Sequence, residues 1–466
     1  MGEAPSRRSI LKASVALSVA GATSGFVQAS GQAGGAKALV GLLDDLKPSD
    51  IRPGSDVYET SGLHEQGLGG ADYLRSDYRG EAEAIYRRRV GPHLLTLNEP
   101  VKRIEYFGAK SIGGDFRNLD CTDAMAEARE YAMERGDDGI TLVLGEGRHH
   151  VEAPQVISKI ARFCIEGVGG RIVAPHQQAL QIGGSEIVNG TGGVLFDFVD
   201  DVTAPGDWHP CGVEFDRVGF SQANKETDIA LRFRTQWPQP RIRRCAFLGG
   251  KHAYTFGAGR EPYDVECEDV FFFNMATACF MPDIGQPDYL HMIWRNCTWR
   301  YNDIAVESEI GNSFHFQGGL VEANRIGLKL AGCRSLVELG QGLHFEQQAE
   351  QDVWIKAGPT TPSAVTKVLT IEGVTATWNK RGGQRTQIQI DDALNAIIQG
   401  NGLYGGKAAQ PGDQWVGLAL NQPADRAVQL GLNTIDGETR IAQRDLRINR
   451  LVGRPNAETR TRYGRD

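Results

Sequence analysis

The feature that most constrains this chain is a weak internal repeat between Val213 and Tyr404. Short segments recur with one pattern: apolar, two residues, small or apolar, one residue, aromatic or apolar. Phe215-Val218-Phe220 is followed by Ile242-Cys245-Phe247, Cys267-Val270-Phe272 and Trp294-Cys297-Trp299. Phe316-Gly319-Val321, Leu339-Gly342-His344, Ile371-Val374-Ala376 and Ile398-Asn401-Leu403 continue the series. The first members lie 27, 25, 27, 22, 23, 32 and 27 residues apart. A period of about 20–50 residues marks a repeat architecture. Each segment is short, rich in β-branched and aromatic residues, and bounded by Gly, Asn or Asp, so it reads as a strand. No helical stripe fits between the segments. Stacked at strand spacing, about 4.8 Å, they make a solenoid. A β-sandwich is the other reading, but sandwich strands follow one another more closely than this.

Stacking predicts inward columns. Val218, Cys245, Val270 and Cys297 form one; Phe220, Phe247, Phe272 and Trp299 form another, with Trp294 also in the core. Glycine supplies 58 of 466 residues, well above the usual share of about 7%, which suits a fold with many tight turns. A net charge of −8 gives no basic field for nucleic acid. No apolar run reaches the roughly 18 residues of a membrane span. Of the eight cysteines, Cys245 and Cys297 would sit two coils, about 9.6 Å, apart, beyond the roughly 7 Å reach of a disulfide. Buried thiols serving as small apolar filler are expected instead. The Cys and His spacings suggest no zinc site.

At the N-terminus, Ser6-Arg7-Arg8-Ser9-Ile10-Leu11-Lys12 precedes a mildly apolar run, Ala13 to Val27, and then the small residues of Val27-Gln28-Ala29. This resembles a twin-arginine export signal. The resemblance implies a signal peptide over 1–29, the twin-arginine export machinery as a partner, and no membrane anchor after cleavage. The mature chain then starts near Ser30, in the periplasm or outside the cell.

Residues 30–103 read as a polar, Gly-rich, irregular leading segment. Ile104 to Lys110 reads as a strand entering a Gly turn. Asp120-Cys121-Thr122-Asp123 opens a helix near 122–135, with Thr122 or Asp123 able to cap it. Ile140 to Leu144 is a strand, and Phe163 to Val168 begins the first coil. An open solenoid end is an exposed sheet edge, and a helix laid over it closes it. The helix is therefore expected to be an N-terminal cap on a solenoid spanning 104–404. From about Pro359 the pattern degrades, and Lys380 to Gln384 reads as a loop. Residues 405–466 read as a cover followed by a flexible tail.

Several motifs follow in order: Gly69-Gly70-Ala71-Asp72-Tyr73, Phe107-Gly108-Ala109-Lys110, Asp120-Cys121-Thr122-Asp123-Ala124-Met125 and Leu142-Val143-Leu144-Gly145-Glu146-Gly147. Phe316 to Asn324 adds a later coil. Together they resemble the pectate-lyase-like superfamily, in the version found on bacteriophage tailspikes. Two positions depart from its pattern: Gly113-Gly114-Asp115 stands where the family has Gly-Asp-Gly, and Gly145 where it has proline. The resemblance implies an all-β, right-handed parallel β-helix with an N-terminal α-helical cap. It implies a function among polysaccharide lyases, glycoside hydrolases, epimerases or non-catalytic members, and a homotrimer, since tailspikes are often trimers.

The groove of a solenoid suits an extended polymer, here a polysaccharide. Glu322 and Glu346 follow equivalent strands, with one residue inserted before the second, and Arg300 heads the same column. Carboxylates on adjacent rungs, about 5 Å apart, can share the acid and base work of glycoside hydrolysis. Arg300 and Arg325 can equally neutralise a structural carboxylate ladder. Asp303, Glu307 and Glu309 form a second cluster, read as one loop after the Trp294 coil. Asp283 and Asp288 bracket a loop that can bind Ca²⁺ or sugar hydroxyls; no other cofactor is expected. A lyase needs a base and a cation: His291, His315 and Tyr301 are candidate bases, Arg295 and Arg300 candidate cations. His315, between Phe314 and Phe316, faces out if those face in. His344 is inward in one alignment and the inserted residue in the other. Trp208, Trp237, Tyr254, Tyr263 and Tyr289, in expected loops, can stack on sugar faces.

Overall fold

The computed structural model describes residues 37–463, except 82, 136–137, 174–180, 201–211, 236–238, 258–263, 284–289, 359–364, 379–383, 406–413, 424, 436–437, 442–446 and 449–460. The expected signal peptide, Cys211, Asp288, Trp208, Trp237, Tyr263 and Tyr289 lie outside the described residues. Among the described residues, no helix is long and apolar enough to cross a membrane.

The repeat is a parallel β-helix. Three long sheets run its length, of 13, 13 and 12 strands. We call them sheets I, II and III in the order each coil visits them. One coil shows the plan: Asp264–Glu268 lies in sheet I, Phe271–Phe273 in sheet II and Thr277–Met281 in sheet III. The next coil repeats it with His291–Arg295, Thr298–Arg300 and Ile304–Ser308. Each repeat segment read from the sequence straddles the corner from sheet I to sheet II. Its first member sits in sheet I, where Phe215, Ile242, Cys267, Trp294, Phe316, Leu339, Ile371 and Ile398 are successive Cα partners. Its last member sits in sheet II, where Phe220, Phe247, Phe272, Trp299 and Val321 stack in register.

Both columns are fully buried. Rings of Phe220 and Phe247 stack at 4.7 Å, Phe247 and Phe272 at 5.5 Å, and Phe272 and Trp299 at 5.5 Å. Trp294 stacks on Phe316 at 4.3 Å, and its indole N–H donates to the buried Tyr254 hydroxyl. Aromatic pairs of this kind contribute about 0.5–1.5 kcal/mol beyond their area. Tyr254, expected in a loop, is thus a core residue of the strand His252–Phe256. The seven described cysteines are buried and free.

The corners explain how so short a chain turns. One residue at each adopts positive φ: Arg217, Arg244, Asp269 and Asn296 between sheets I and II, and Asn274, Tyr301, Ala323 and Gln347 between sheets II and III. A non-glycine residue there is strained. Each of these N–H groups nonetheless donates to a carbonyl one rung on, as Tyr301 does to Glu322 at 3.2 Å and Ala323 to Glu346 at 2.8 Å. The ladder therefore runs through the bend, and none of these eight backbone donors is left unpaired.

The corner after sheet II is further held by buried side-chain amides. Asn302 Nδ2 donates to Asn324 Oδ1 at 3.0 Å and to the Phe272 carbonyl at 3.2 Å. Asn324 Nδ2 donates to Gln348 Oε1 at 3.1 Å and to the Trp299 carbonyl at 3.1 Å. Gln348 Nε2 closes on the Val321 carbonyl at 2.6 Å. A second ladder, Asn401 on Asn433 at 3.0 Å, serves the corner between sheets I and II near the far end.

Several boundaries differ from the sequence reading. The segment expected to be irregular forms a five-stranded sheet between Lys37 and Leu97. It was illegible because its strands belong to no repeat. Ile104–Phe107 is a 3-10 turn ending at left-handed Gly108, not a strand. The coils begin earlier than Phe163, with Ile140–Val143, Gly147–Val151 and Gln155–Ile157. They also continue past 404. Gln414–Leu420, Ala427–Leu430 and Glu438–Ile441 join the same sheets, so residues after 404 are not simply a cover and tail. The helix spans Thr122–Arg135. Its first N–H, on Thr122, is taken by the Asp120 carboxylate at 3.1 Å, while the Thr122 hydroxyl accepts from Glu152 N instead. Ala124, Met125, Ala128 and Ala132 form its buried side.

Asp352 is a buried acid of sheet III. Its position in sheet III follows Ala278, Ala305 and Gly327 on the rungs before it. Burial pushes its carboxyl well above the usual range, opposed only by the field of Arg385.

Two predictions follow from this interior. Asn324→Ala strips partners from Asn302, Gln348 and the Trp299 carbonyl, so urea unfolding should show a loss of at least about 2 kcal/mol. For Asp352, both states are neutral below the unfolded value near pH 3.9. As pH rises past it, the unfolded carboxyl ionises while the folded one keeps its proton, so stability falls. Asp352→Asn should flatten the melting temperature against pH from about pH 4 to 7.

Candidate functional site

The outward faces of the three sheets differ in chemistry. On sheet I, acids and bases alternate and neutralise one another. Arg243 lies 3.5 Å from Glu214 and 3.7 Å from Glu268, and Arg295 pairs with Glu266. On sheet III, Asp197 is clamped by both Arg232 and Arg234, at 2.6 and 2.5 Å. Farther along, Glu307 meets Lys329 at 2.6 Å, and the Lys356 ammonium lies over the Trp354 ring at 4.8 Å.

Sheet II presents a different face. Period-two alternation leaves two outward columns. One runs Ser221, Leu248, Phe273, Arg300, Glu322, Glu346, Thr377 and Tyr404 in register. Its neighbour runs Gly219, Ala246, Phe271, Thr298, Leu320, His344, Thr375 and Gly402. The Phe271 and Phe273 rings lie 6.1 Å apart, and Tyr301 packs edge-on against Phe273 at 5.3 Å. Tyr301 is 48% exposed. These three rings form a half-open aromatic surface, with Phe271 and Phe273 two rungs before Glu322 and Tyr301 one.

Glu322 and Glu346 are Cα partners on adjacent rungs, and Arg300 is the partner of Glu322 on the other side. The Arg300 guanidinium binds the Glu322 carboxylate at 3.0 Å and lies over the Tyr301 ring at 5.0 Å. Arg300 Nε is buried without a hydrogen-bond partner. Glu346 sits 3.8 Å from His344 Nε2 and accepts from Gln347 at 3.2 Å. The site is held from behind. Tyr301 precedes Asn302, and Glu322 and Glu346 lie two residues before Asn324 and Gln348, the buried amide ladder.

The other sequence candidates go elsewhere. Asp303, Glu307 and Glu309 do not share a loop. Asp303 is in the corner after sheet II, Glu307 is outward on the sheet III strand Ile304–Ser308, and Glu309 follows that strand and accepts from Asp283 N at 3.0 Å. A five-residue strand separates what the sequence shows as one acidic run. Arg325 grips Asp303 through two bonds, at 2.6 and 3.1 Å, and reaches Glu350 at 2.8 Å. The Arg325 hydrogen bonds hold the Asp303 carboxyl below its usual range. His315 faces out between buried Phe314 and Phe316, as the alternation requires, but on sheet I, where Nδ1 meets Glu338 at 2.8 Å. His291 and Arg295 share that sheet. The candidate bases and cations of a lyase are therefore split between two faces, and only Arg300 with Tyr301 stay together. His344 is outward. Phe345, not His344, is the partner of Val321, because the extra residue, Gly342, is taken up in the turn.

Phe271 and Phe273 were missed in the sequence, although once Phe272 is assigned inward, alternation alone turns its two neighbours outward.

No protein-family model and no curated protein matches the chain. Solved structures do. The enzymatically active domain of tailspike protein 2 from bacteriophage CBA120 is similar at 12% identity and a TM-score of 0.56, over 87% of this chain and 61% of that one. The tailspike protein of Acinetobacter phage vB_ApiP_P1 is similar at 13% identity and a TM-score of 0.52, over 87% and 66%. The enzymatically active domain of CBA120 tailspike protein 4 gives 10% identity and a TM-score of 0.50, over 84% and 48%. The chain spans about half to two thirds of the length of these structures. The likeness is one of fold: like these domains, the chain is a parallel β-helix.

Proposed function

We propose that the protein is a polysaccharide-cleaving enzyme working on the outer face of sheet II, as a glycoside hydrolase. The observation that carries this is the column Phe273, Arg300, Glu322, Glu346, with an aromatic surface leading into paired carboxylates. Aromatic rings offer flat apolar faces to sugars. Adjacent rungs set the two carboxylates about one strand spacing, 4.8 Å, apart. That suits the roughly 5–5.5 Å of a retaining mechanism better than the wider inverting gap. Glu322, charge-paired with Arg300, attacks the anomeric carbon. Glu346 gives its proton to the departing glycosidic oxygen, then takes one from the water that releases the glycosyl-enzyme. The description of two similar tailspike domains as enzymatically active supports the reading by analogy of fold alone.

A lyase is the second reading, favoured by the Arg300–Tyr301 pair: Arg300 would hold a uronate carboxylate and Tyr301 would take the α proton. A surface uronate epimerase needs the same groups. A non-catalytic glycan-binding scaffold needs only the aromatic surface. We further propose export through the twin-arginine route to the periplasm or beyond, with the helix Thr122–Arg135 closing the N-terminal end of the solenoid. Assembly as a homotrimer belongs to the same proposal.

The test is incubation of the mature protein with neutral and uronate-containing exopolysaccharides. New reducing ends without the ultraviolet absorbance of an unsaturated uronate indicate hydrolysis; both signals together indicate a lyase. Glu322→Gln and Glu346→Gln should each lower the cleavage rate about 10²–10⁴-fold, whereas His315→Ala, on sheet I, should leave it within about twofold. Binding without cleavage, unchanged in the Glu variants, would overturn the enzymatic reading.

A further inference from the structure

One coil breaks the economy of the others. The corner from sheet I to sheet II takes a single residue, Arg217, between Asp216 and Val218, and two residues at 244–245, 269–270 and 296–297. Between Arg162–Glu166 and Ser185–Asn189 it takes residues 167–184. In a solenoid, an insertion in one repeat sits on one face, often the binding face. This insertion carries two antiparallel strands, Arg171–Val173 and Gln181–Gly183. It is docked on the outer face of sheet II. Ile182 sits where a side chain at Gly219 would be: a Cβ there would lie 2.1 Å from Ile182 Cγ2. Glycine at 219 is what lets the insertion lie down.

Between the insertion and the first rungs of sheet II lies a cavity of about 590 Å³, within the usual range for a small ligand. Ile182 and Leu248 give it apolar walls, and Ser221 lies on its floor column. Arg117, Glu146, Arg148 and Glu186 give it polar ones, with Arg148 and Glu186 paired at 3.2 Å. Among the described lining residues, two cations and two anions balance. The carboxylate site, with Arg300 against Glu322 and Glu346, is net negative. Apolar walls with convergent donors and acceptors suit a sugar ring and its hydroxyls. A balanced lining gives a sugar carboxylate no net attraction.

The cavity and the site share one column. Leu248 lines the cavity, and Phe273, Arg300 and Glu322 are the next three rungs. At about 4.8 Å per rung, Leu248 and Glu322 are some 14 Å apart, with Phe273 and Arg300 between them.

We propose that this cavity is a remote subsite for a neutral sugar unit of the polysaccharide whose scissile bond lies at Glu322 and Glu346. The subsite fixes which way the polymer runs along sheet II, and it favours substrates long enough to reach both ends. The inference rests on the proposed glycan-binding role of this face.

The test uses a panel of immobilised bacterial exopolysaccharide oligosaccharides of graded length, neutral and uronate-containing, with the full-length mature protein. Wild type should bind long neutral-ended oligosaccharides more tightly than short ones of the same sequence. Ser221→Trp fills the cavity and should cut that long-to-short ratio at least tenfold. Arg148→Ala, which breaks the pair with Glu186, should cut it in the same direction, and it decides the matter if Ser221→Trp melts early. An unchanged ratio in the folded variants, or a wild-type preference for a uronate at the distal unit, overturns the subsite while leaving the groove intact. Failure of wild type to bind any glycan in the panel overturns both the subsite and the groove.

Discussion

The register between successive rungs is the constraint on which the rest of the molecule depends. A parallel rung that slips by one residue turns every inward side chain outward. Here the register is pinned three times over. Aromatic stacks fix it in the core, left-handed corner residues pass the hydrogen-bond ladder from one sheet to the next, and buried amides tie the successive corners at Asn302, Asn324 and Gln348 together. Each device is weak taken singly. Together they are repeated coil after coil, so the interior behaves as a sum of neighbour contacts.

Fixed register has a chemical consequence. Residues about two dozen apart in sequence become neighbours one strand spacing apart. Glu322 and Glu346 need no loop to bring them together, and Arg300 needs none to reach Glu322. Such a site is carried by strands with a buried ladder behind them, which makes it stiff. Sheets I and III show the same geometry spent differently. There Glu214, Glu266, Glu268, Asp197 and Glu307 each meet a cation on a neighbouring rung. What singles out sheet II is an excess of carboxylate beside uncovered aromatic rings.

The repeat was legible because its inward residues are large and strictly placed. All eight first members of the pattern prove to be one column, and the repeat alone sets Arg300, Glu322 and Glu346 on neighbouring rungs. His344 failed for a local reason: corner lengths vary by a residue or two, and Gly342 could be counted either in the turn or in the strand. The Asp303, Glu307 and Glu309 run misled because a corner and a strand fit inside seven residues, so acids close in sequence leave on different faces. The leading sheet was missed because its strands belong to no repeat, and the last coils because the pattern fades beyond Leu403. The insertion over 167–184 carries no signal of its own; its meaning appears only when Gly219 is seen beneath Ile182.

The most direct measurement replaces Glu322 and Glu346 together with cysteine in the protein and oxidises it mildly. Adjacent parallel rungs hold Cα atoms about 4.8 Å apart, inside the roughly 4.4–6.8 Å window of a disulfide. The account predicts that the engineered pair closes, seen as a crosslinked peptide by mass spectrometry, while the buried native cysteines stay reduced. A pair that remains open under conditions where each thiol singly accepts an alkylating reagent would contradict it, and the paired-carboxylate site would fall with it.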